Sequence, residues 1–199
     1  MPVKIGVIAI QGNVAEHVSA LEKALAERGE RGEVVLIKHQ GFVADCDALA
    51  IPGGESTTIG RLMQREGIGE EIVTAVEVHD IPILGTCAGL VLLATTGDAG
   101  IARTGQPLLG VMDITVKRNA FGRQRESFEI LLSMSILEEP FPAVFIRAPA
   151  ITRTGEDVTV LATVEGQIVA AQQGKVLALA FHPELTEDRR LHHYFLDLV

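Results

Sequence analysis

The sequence predicts an open α/β fold, a three-layer sandwich with a mostly parallel central sheet and an antiparallel portion in its second half. Three features lead there. Short apolar or β-branched runs alternate with helical-period segments through the first half, the pattern of parallel βαβ units with helices on both faces. Several strand-like runs in the second half are close enough to form hairpins. The chain has 199 residues and no linker-like, repetitive or low-complexity tract, so residues 1–199 are expected to form one domain with a substantial core.

Val3 to Ile10 is a β-branched run ending at Gln11-Gly12, which reads as a buried strand and a turn. Val14 to Arg28 carries Val18, Leu21 and Leu25 at helical spacing among charged residues. Gly29 to Glu33 reads as a loop, Val34 to Ile37 as a second strand, and Ala48 to Ile51 as a third, closed by Pro52-Gly53-Gly54. Ser56 to Arg65 and Ile68 to Val78 read as helices, with Ser56 as an N-cap. Ile81 to Leu84 is another buried strand, and an apolar helix runs from Leu90 to about Ala94. In the second half, Leu108 to Val116, Ala143 to Ile146, Val158 to Thr163, Ile168 to Gln172 and Val176 to Phe181 read as strands. A last helix is expected from about Glu187 to Leu198.

The formal charge is −9, and an acidic domain repels phosphate backbones, which argues against a nucleic-acid partner. No apolar stretch approaches the ~20 residues that span a bilayer, and the N-terminus reads as a strand rather than a leader. The two cysteines, Cys46 and Cys87, make no CxxC pair and no zinc spacing, which suits a reducing compartment. The expected location is the cytoplasm, and no metal is expected.

The strongest local signal is Ile81-Pro82-Ile83-Leu84-Gly85-Thr86-Cys87-Ala88-Gly89. A buried strand entering Gly-x-Cys-x-Gly and then a helix follows the nucleophile-elbow pattern, with sulfur as the nucleophile. The flanking glycines relieve crowding at a sharp turn, and the sulfur emerges at the carboxyl edge of the sheet, where open α/β sheets bind ligands. An isolated cysteine in an apolar segment is ordinarily a small core residue. Cys46 keeps that reading, whereas a core cysteine would not need glycine on both sides. A thiolate needs a base and an orienting group, and Phe181-His182-Pro183-Glu184 supplies both. Pro183 restricts His182 to extended geometry, so Glu184 can return to one ring nitrogen while the other faces Cys87. His17, His39, His79, His192 and His193 read as solvated or capping positions. Donors for a tetrahedral oxyanion are the backbone N–H of Ala88 and the glycine-rich loop Gly53-Gly54-Glu55-Ser56. Neither a GxGxxG fingerprint nor a P-loop is present.

Gly-Thr-Cys-Ala-Gly, Pro-Gly-Gly-Glu-Ser and His-Pro-Glu, in that order, resemble the class I, triad-type glutamine amidotransferases of flavodoxin-like fold. Gln11-Gly12 with Glu16-His17, Arg118-Asn119-Ala120-Phe121-Gly122-Arg123-Gln124, and His182-Pro183-Glu184-Leu185-Thr186 narrow the resemblance to the glutaminase subunits of pyridoxal 5′-phosphate synthase, over essentially the whole chain. The resemblance implies that Cys87 forms a glutamyl thioester, that His182 moves the protons and that Glu184 orients His182. It implies glutamine contacts from Gly54, Glu55, Ser56, Arg118, Ile146 and Arg147, with an oxyanion hole at Gly54 and Ala88. It places Gln11 at the interface with a (β/α)₈-barrel synthase subunit in a large hetero-oligomer, which receives the ammonia, and it implies no cofactor for this chain. Two other readings stand beside it: a DJ-1/PfpI-like cysteine hydrolase, which a late His-Pro-Glu argues against, and a non-enzymatic flavodoxin-like binding module, which an intact Cys, His and Glu set argues against.

Overall fold

The structure, a computed structural model, describes residues 2–122 and 126–199. Arg123 and Gln124 of the basic segment therefore lie outside the described residues.

The chain runs β1 (Val3–Ile8), α1 (Val14–Arg28), β2 (Gly32–Ile37), β3 (Ala48–Ile51), α2 (Ser56–Arg65), α3 (Ile68–Glu77), β4 (Ile83–Thr86), α4 (Ala88–Leu93), β5 (Ala94–Gly97) and α5 (Ala99–Thr104). It continues through β6 (Met112–Lys117), β7 (Ser127–Leu132), β8 (Phe141–Ile146), β9 (Ala150–Thr154), β10 (Thr159–Val164), β11 (Gln167–Gln173), β12 (Val176–Leu179) and α6 (Arg190–Leu196). Ten strands form one sheet in the order β2-β1-β3-β4-β12-β11-β9-β6-β5, with β10 also paired to β11, while β7 and β8 form a separate antiparallel pair. Pairing is parallel among β2, β1, β3, β4 and β12 and between β5 and β6. It is antiparallel where β11 meets β10, β12 and β9, and where β6 meets β9. The expected α/β fold, mostly parallel with an antiparallel second half, is the one observed. Its first five positions follow the flavodoxin-like order, with β12 arriving from the far end of the chain to take the fifth.

β3, β4 and β12 expose no residue, so both faces of the sheet are covered there, as parallel sheets require. Two helical groups do the covering: α1 packs with α6, and α2 packs with α3 and α4. α1 turns Ala20, Leu21, Ala24 and Leu25 inward at helical spacing and stops at Gly29, whose left-handed backbone (φ 64°) returns its N–H to the carbonyls of Leu25 and Ala26.

Several elements differ from the sequence reading. β7, β9, β5 and α5 were not expected; β5 follows directly on the apolar α4, so no turn residue separates them. α4 starts at Ala88, two residues earlier than expected, and β4 reaches Thr86, so strand and helix meet at Cys87 alone. Glu55, not Ser56, caps α2: its carboxylate accepts from the backbone N–H groups of Thr57 (3.1 Å) and Thr58 (2.7 Å). No helix among the described residues is long and apolar enough to cross a membrane.

Candidate active site

Parallel strands bring their carboxyl ends to one edge. β1 ends before Gln11–Asn13, β3 before Gly53–Ser56, β4 at Cys87 and β12 just before His182, with Ile51 beside Gly85 and Leu179 beside Thr86. Four segments far apart in sequence thus converge around a cavity of about 450 Å³, at the edge where open α/β sheets bind ligands.

Cys87 sits on the elbow with φ 49° and ψ −100°, a left-handed conformation that is uncommon for a residue with a side chain. Both glycines around it are sterically required. A Cβ on Gly85 would meet the Gly89 carbonyl carbon at 2.8 Å, and one on Gly89 would meet the Ile51 carbonyl oxygen at 2.2 Å. The half-buried sulfur lines the cavity, 3.8 Å from the Ile146 carbonyl oxygen. His182 shares the cavity wall with Cys87. Its Nδ1 is 2.7 Å from Oε1 of Glu184, and both side chains are buried. The sequence reading had the two side chains meeting along extended chain. Instead, His182 is extended and Pro183–Leu185 turns as a single 3₁₀ turn, which folds the carboxylate back under the ring.

Burial opposes a charge on His182, but the neighbouring Cys87 and Glu184 outweigh it and raise the imidazole to about 10. It therefore holds both ring protons at neutral pH. Burial likewise opposes the Glu184 carboxylate, and the facing His17 and His182 overcome it, holding the group far below the ordinary carboxylate range.

Gly54, Glu55, Ser56, Ala88, Arg118, Ile146 and Arg147 all line the same cavity. Arg118 is held by its guanidinium on Thr57 Oγ1 (3.1 Å) and Gln106 Oε1 (3.3 Å), and by its backbone N–H on Asp98 (2.8 Å). Arg147 is left-handed (φ 46°) and exposed at the rim. Ala88 opens α4, where the first N–H groups lack helical partners. Gln11 is not in the cavity. Its exposed side chain accepts from the Glu55 N–H at 2.9 Å and so braces the glycine-rich loop from outside.

The sequence reading passed over Asn13, Val91, Asn119 and Pro149, which also line the cavity. Asn13 precedes α1 and looks like a cap, but its amide lies 3.4 Å from both His182 Nδ1 and Glu184 Oε1. Two histidines are corrected. His17 and His192 are fully buried, not solvated, and burial pushes His192 down to about 3. The signal was present for His17, which shares the inward stripe of Ala20, Leu21 and Ala24. Among the described residues no cluster of three or more metal-ligating side chains occurs.

A model of the SNO glutamine amidotransferase family matches residues 7–199. The chain belongs to that family. The pyridoxal 5′-phosphate synthase subunit PdxT of Methanococcoides burtonii is 63% identical over 194 residues, with 98% of each chain covered. The PdxT subunit of Archaeoglobus fulgidus is 53% identical over 195 residues, again covering 98% of each. Among solved structures, a glutamine amidotransferase superposes with a TM-score of 0.87 at 47% identity, covering 98% of this chain and 97% of that one. Membership of the SNO family fits a fold whose cysteine, histidine and carboxylate meet at one sheet edge.

Proposed function

We propose that this chain hydrolyses L-glutamine to glutamate and ammonia, as the glutaminase subunit of pyridoxal 5′-phosphate synthase. One observation carries the mechanism: Cys87 and His182 share a cavity wall, with Glu184 2.7 Å behind the imidazole. The sulfur attacks the side-chain amide carbon, forming the C–S bond of a glutamyl thioester. The negative charge on oxygen is met by the backbone N–H groups of Ala88 and Gly54. His182, charged at neutral pH, gives a proton to the departing nitrogen as the C–N bond breaks and ammonia leaves. The neutral ring then takes a proton from water, whose oxygen displaces sulfur and releases glutamate. Glu184 holds Nδ1 throughout, so Nε2 stays aimed at the sulfur.

Arg118 and Arg147 suit the substrate's α-carboxylate as charged donors, and Ile146 and Ser56 close the wall between them. Glu55 receives the α-ammonium while it also caps α2. This chemistry uses the side chains and backbone donors of the chain itself and needs no cofactor. One continuous core joins both halves, which supports a single functional unit. The two free cysteines fit a cytoplasmic location.

Ammonia passes to a barrel-type synthase subunit in a hetero-oligomer, docked across the exposed Gln11. Because Gln11 holds the Glu55 N–H, docking there bears directly on the loop that supplies the Gly54 donor. Steady-state ammonia release from glutamine is therefore expected to rise at least tenfold when the synthase subunit is added. Equal rates with and without it would remove the coupling and leave the hydrolysis.

Gly53 offers a local check of the geometry. A Cβ there would lie 2.4 Å from His182 Cε1 and 3.4 Å from Cys87 Cβ. Gly53→Ala must therefore push the imidazole off its line to the sulfur, and a misplacement near 1 Å costs on the order of 10²-fold in rate. The expected result is a kcat about 10²-fold lower at an unchanged melting temperature. A variant as fast as the parent would mean that His182 need not sit where it is seen.

A further inference from the structure

Glu184 has two oxygens, and the triad uses only one. Oε1 faces His182 Nδ1, while Oε2 is buried and makes no ordinary hydrogen bond to any described residue. A buried carboxylate with one bare oxygen is free to rotate about its last torsion and is poorly stabilised in its charged form. The nearest donor to Oε2 is His17 Nε2, at 3.4 Å, on a side chain with no solvent exposure. The same nitrogen is 2.9 Å from Thr86 Oγ1, also fully buried. Thr86 is the last residue of β4 and the immediate neighbour of Cys87. One imidazole, carried by α1, thus bridges the segment that bears the nucleophile and the turn that bears the base and its orienting group.

We propose that His17 is a positioning residue for glutamine hydrolysis. Its Nε2–H is shared between Oε2 of Glu184 and the hydroxyl of Thr86. This fixes the carboxylate plane so that Oε1 meets His182 Nδ1, and it ties that carboxylate to the strand end beneath Cys87. The inference rests on Glu184 being the orienting group. It extends the triad backward by one buried side chain that never touches glutamine. His192, behind it on α6, has no hydrogen-bond partner on either ring nitrogen among the described residues and supplies no competing link.

The test measures kcat and KM for ammonia release by the full chain with the synthase subunit present, together with melting temperature. His17→Leu removes the donor at similar volume, and His17→Gln keeps an N–H near the place of Nε2. His17→Leu is expected to lower kcat at least tenfold with KM within twofold of the parent, and His17→Gln to restore kcat to within threefold. A Leu variant with kcat within twofold of the parent overturns the inference. So does a Gln variant that is as slow as the Leu variant while melting with the parent. Should the Leu variant not fold, the Gln variant decides alone: kcat within threefold supports the inference, and a tenfold loss at unchanged melting temperature overturns it. Cys87→Ala is run beside them. If that variant stays active, the triad reading itself fails; if it is inactive and His17→Leu is unimpaired, only the role of His17 falls.

Discussion

Cys87→Ala is expected to lower ammonia release by about 10⁴-fold or more at saturating glutamine, to the level set by binding and oxyanion stabilisation alone. Without sulfur no thioester forms, and water must attack an unactivated amide directly. The fold should scarcely register the change. The side chain is half-buried, and alanine meets the same left-handed backbone at φ 49° as cysteine does, so strain is neither added nor relieved. Melting temperature should stay within a few degrees of the parent. Cys87→Ser should be nearly as slow, since a hydroxyl is a much weaker nucleophile than a thiolate at neutral pH. The measurement is glutamate and ammonia formation over hours, with synthase subunit present. Turnover within tenfold of the parent would remove Cys87 as the nucleophile and leave the cavity without an attacking group.

The elbow was legible because its constraints are local. Gly85 and Gly89 are forced by backbone atoms of Gly89 and Ile51, and such crowding leaves a mark on the sequence whatever the rest of the fold does. The meeting of Cys87 with His182 was legible only through the sheet: β12 had to slot beside β4 in parallel, which an apolar run from residue 176 permits but does not dictate. His17 shows where a residue-by-residue reading stops. Polarity suggested solvent, while helical spacing pointed inward, and spacing prevailed because a buried carboxylate was waiting there. Asn13 had no expected role and Ser56 was the expected cap of α2, and both readings stopped short for a similar reason. Asn13 and Glu55 could each cap the helix that follows, and only the tertiary neighbours decide that Glu55 caps while Asn13 turns toward the triad. β7 and β9 escaped notice because their pairing, β7 with β8 in a separate sheet and β9 with β6 in the main one, depends on partners many residues away.

Glu184→Gln should be the second most damaging change, lowering kcat by roughly 10³- to 10⁴-fold. The two residues have the same shape, so the loss reflects hydrogen bonding and charge rather than packing. The carboxylate is surrounded by donors: His182 Nδ1 at 2.7 Å and Asn13 Nδ2 at 3.4 Å on Oε1, with His17 Nε2 at 3.4 Å beside Oε2. Two oxygens can accept on both sides, but an amide has one oxygen and one NH₂ group. If the amide oxygen faces His182, its NH₂ points at the His17 N–H. If it faces His17, the NH₂ points at the His182 Nδ1–H, donor against donor, and the ring must turn away or give up the Nδ1 proton, so the imidazolium that serves Cys87 is lost. Either arrangement damages the relay. Removing the negative charge also removes part of what raises His182, so its pKa falls from about 10. The basic limb of the kcat/KM profile, where the imidazolium loses its proton, should accordingly move to lower pH. A pH–rate series on the variant with its synthase subunit checks both effects together. Parental kcat with an unmoved basic limb would mean that Glu184 neither orients nor charges His182, and that His182 is held by another group.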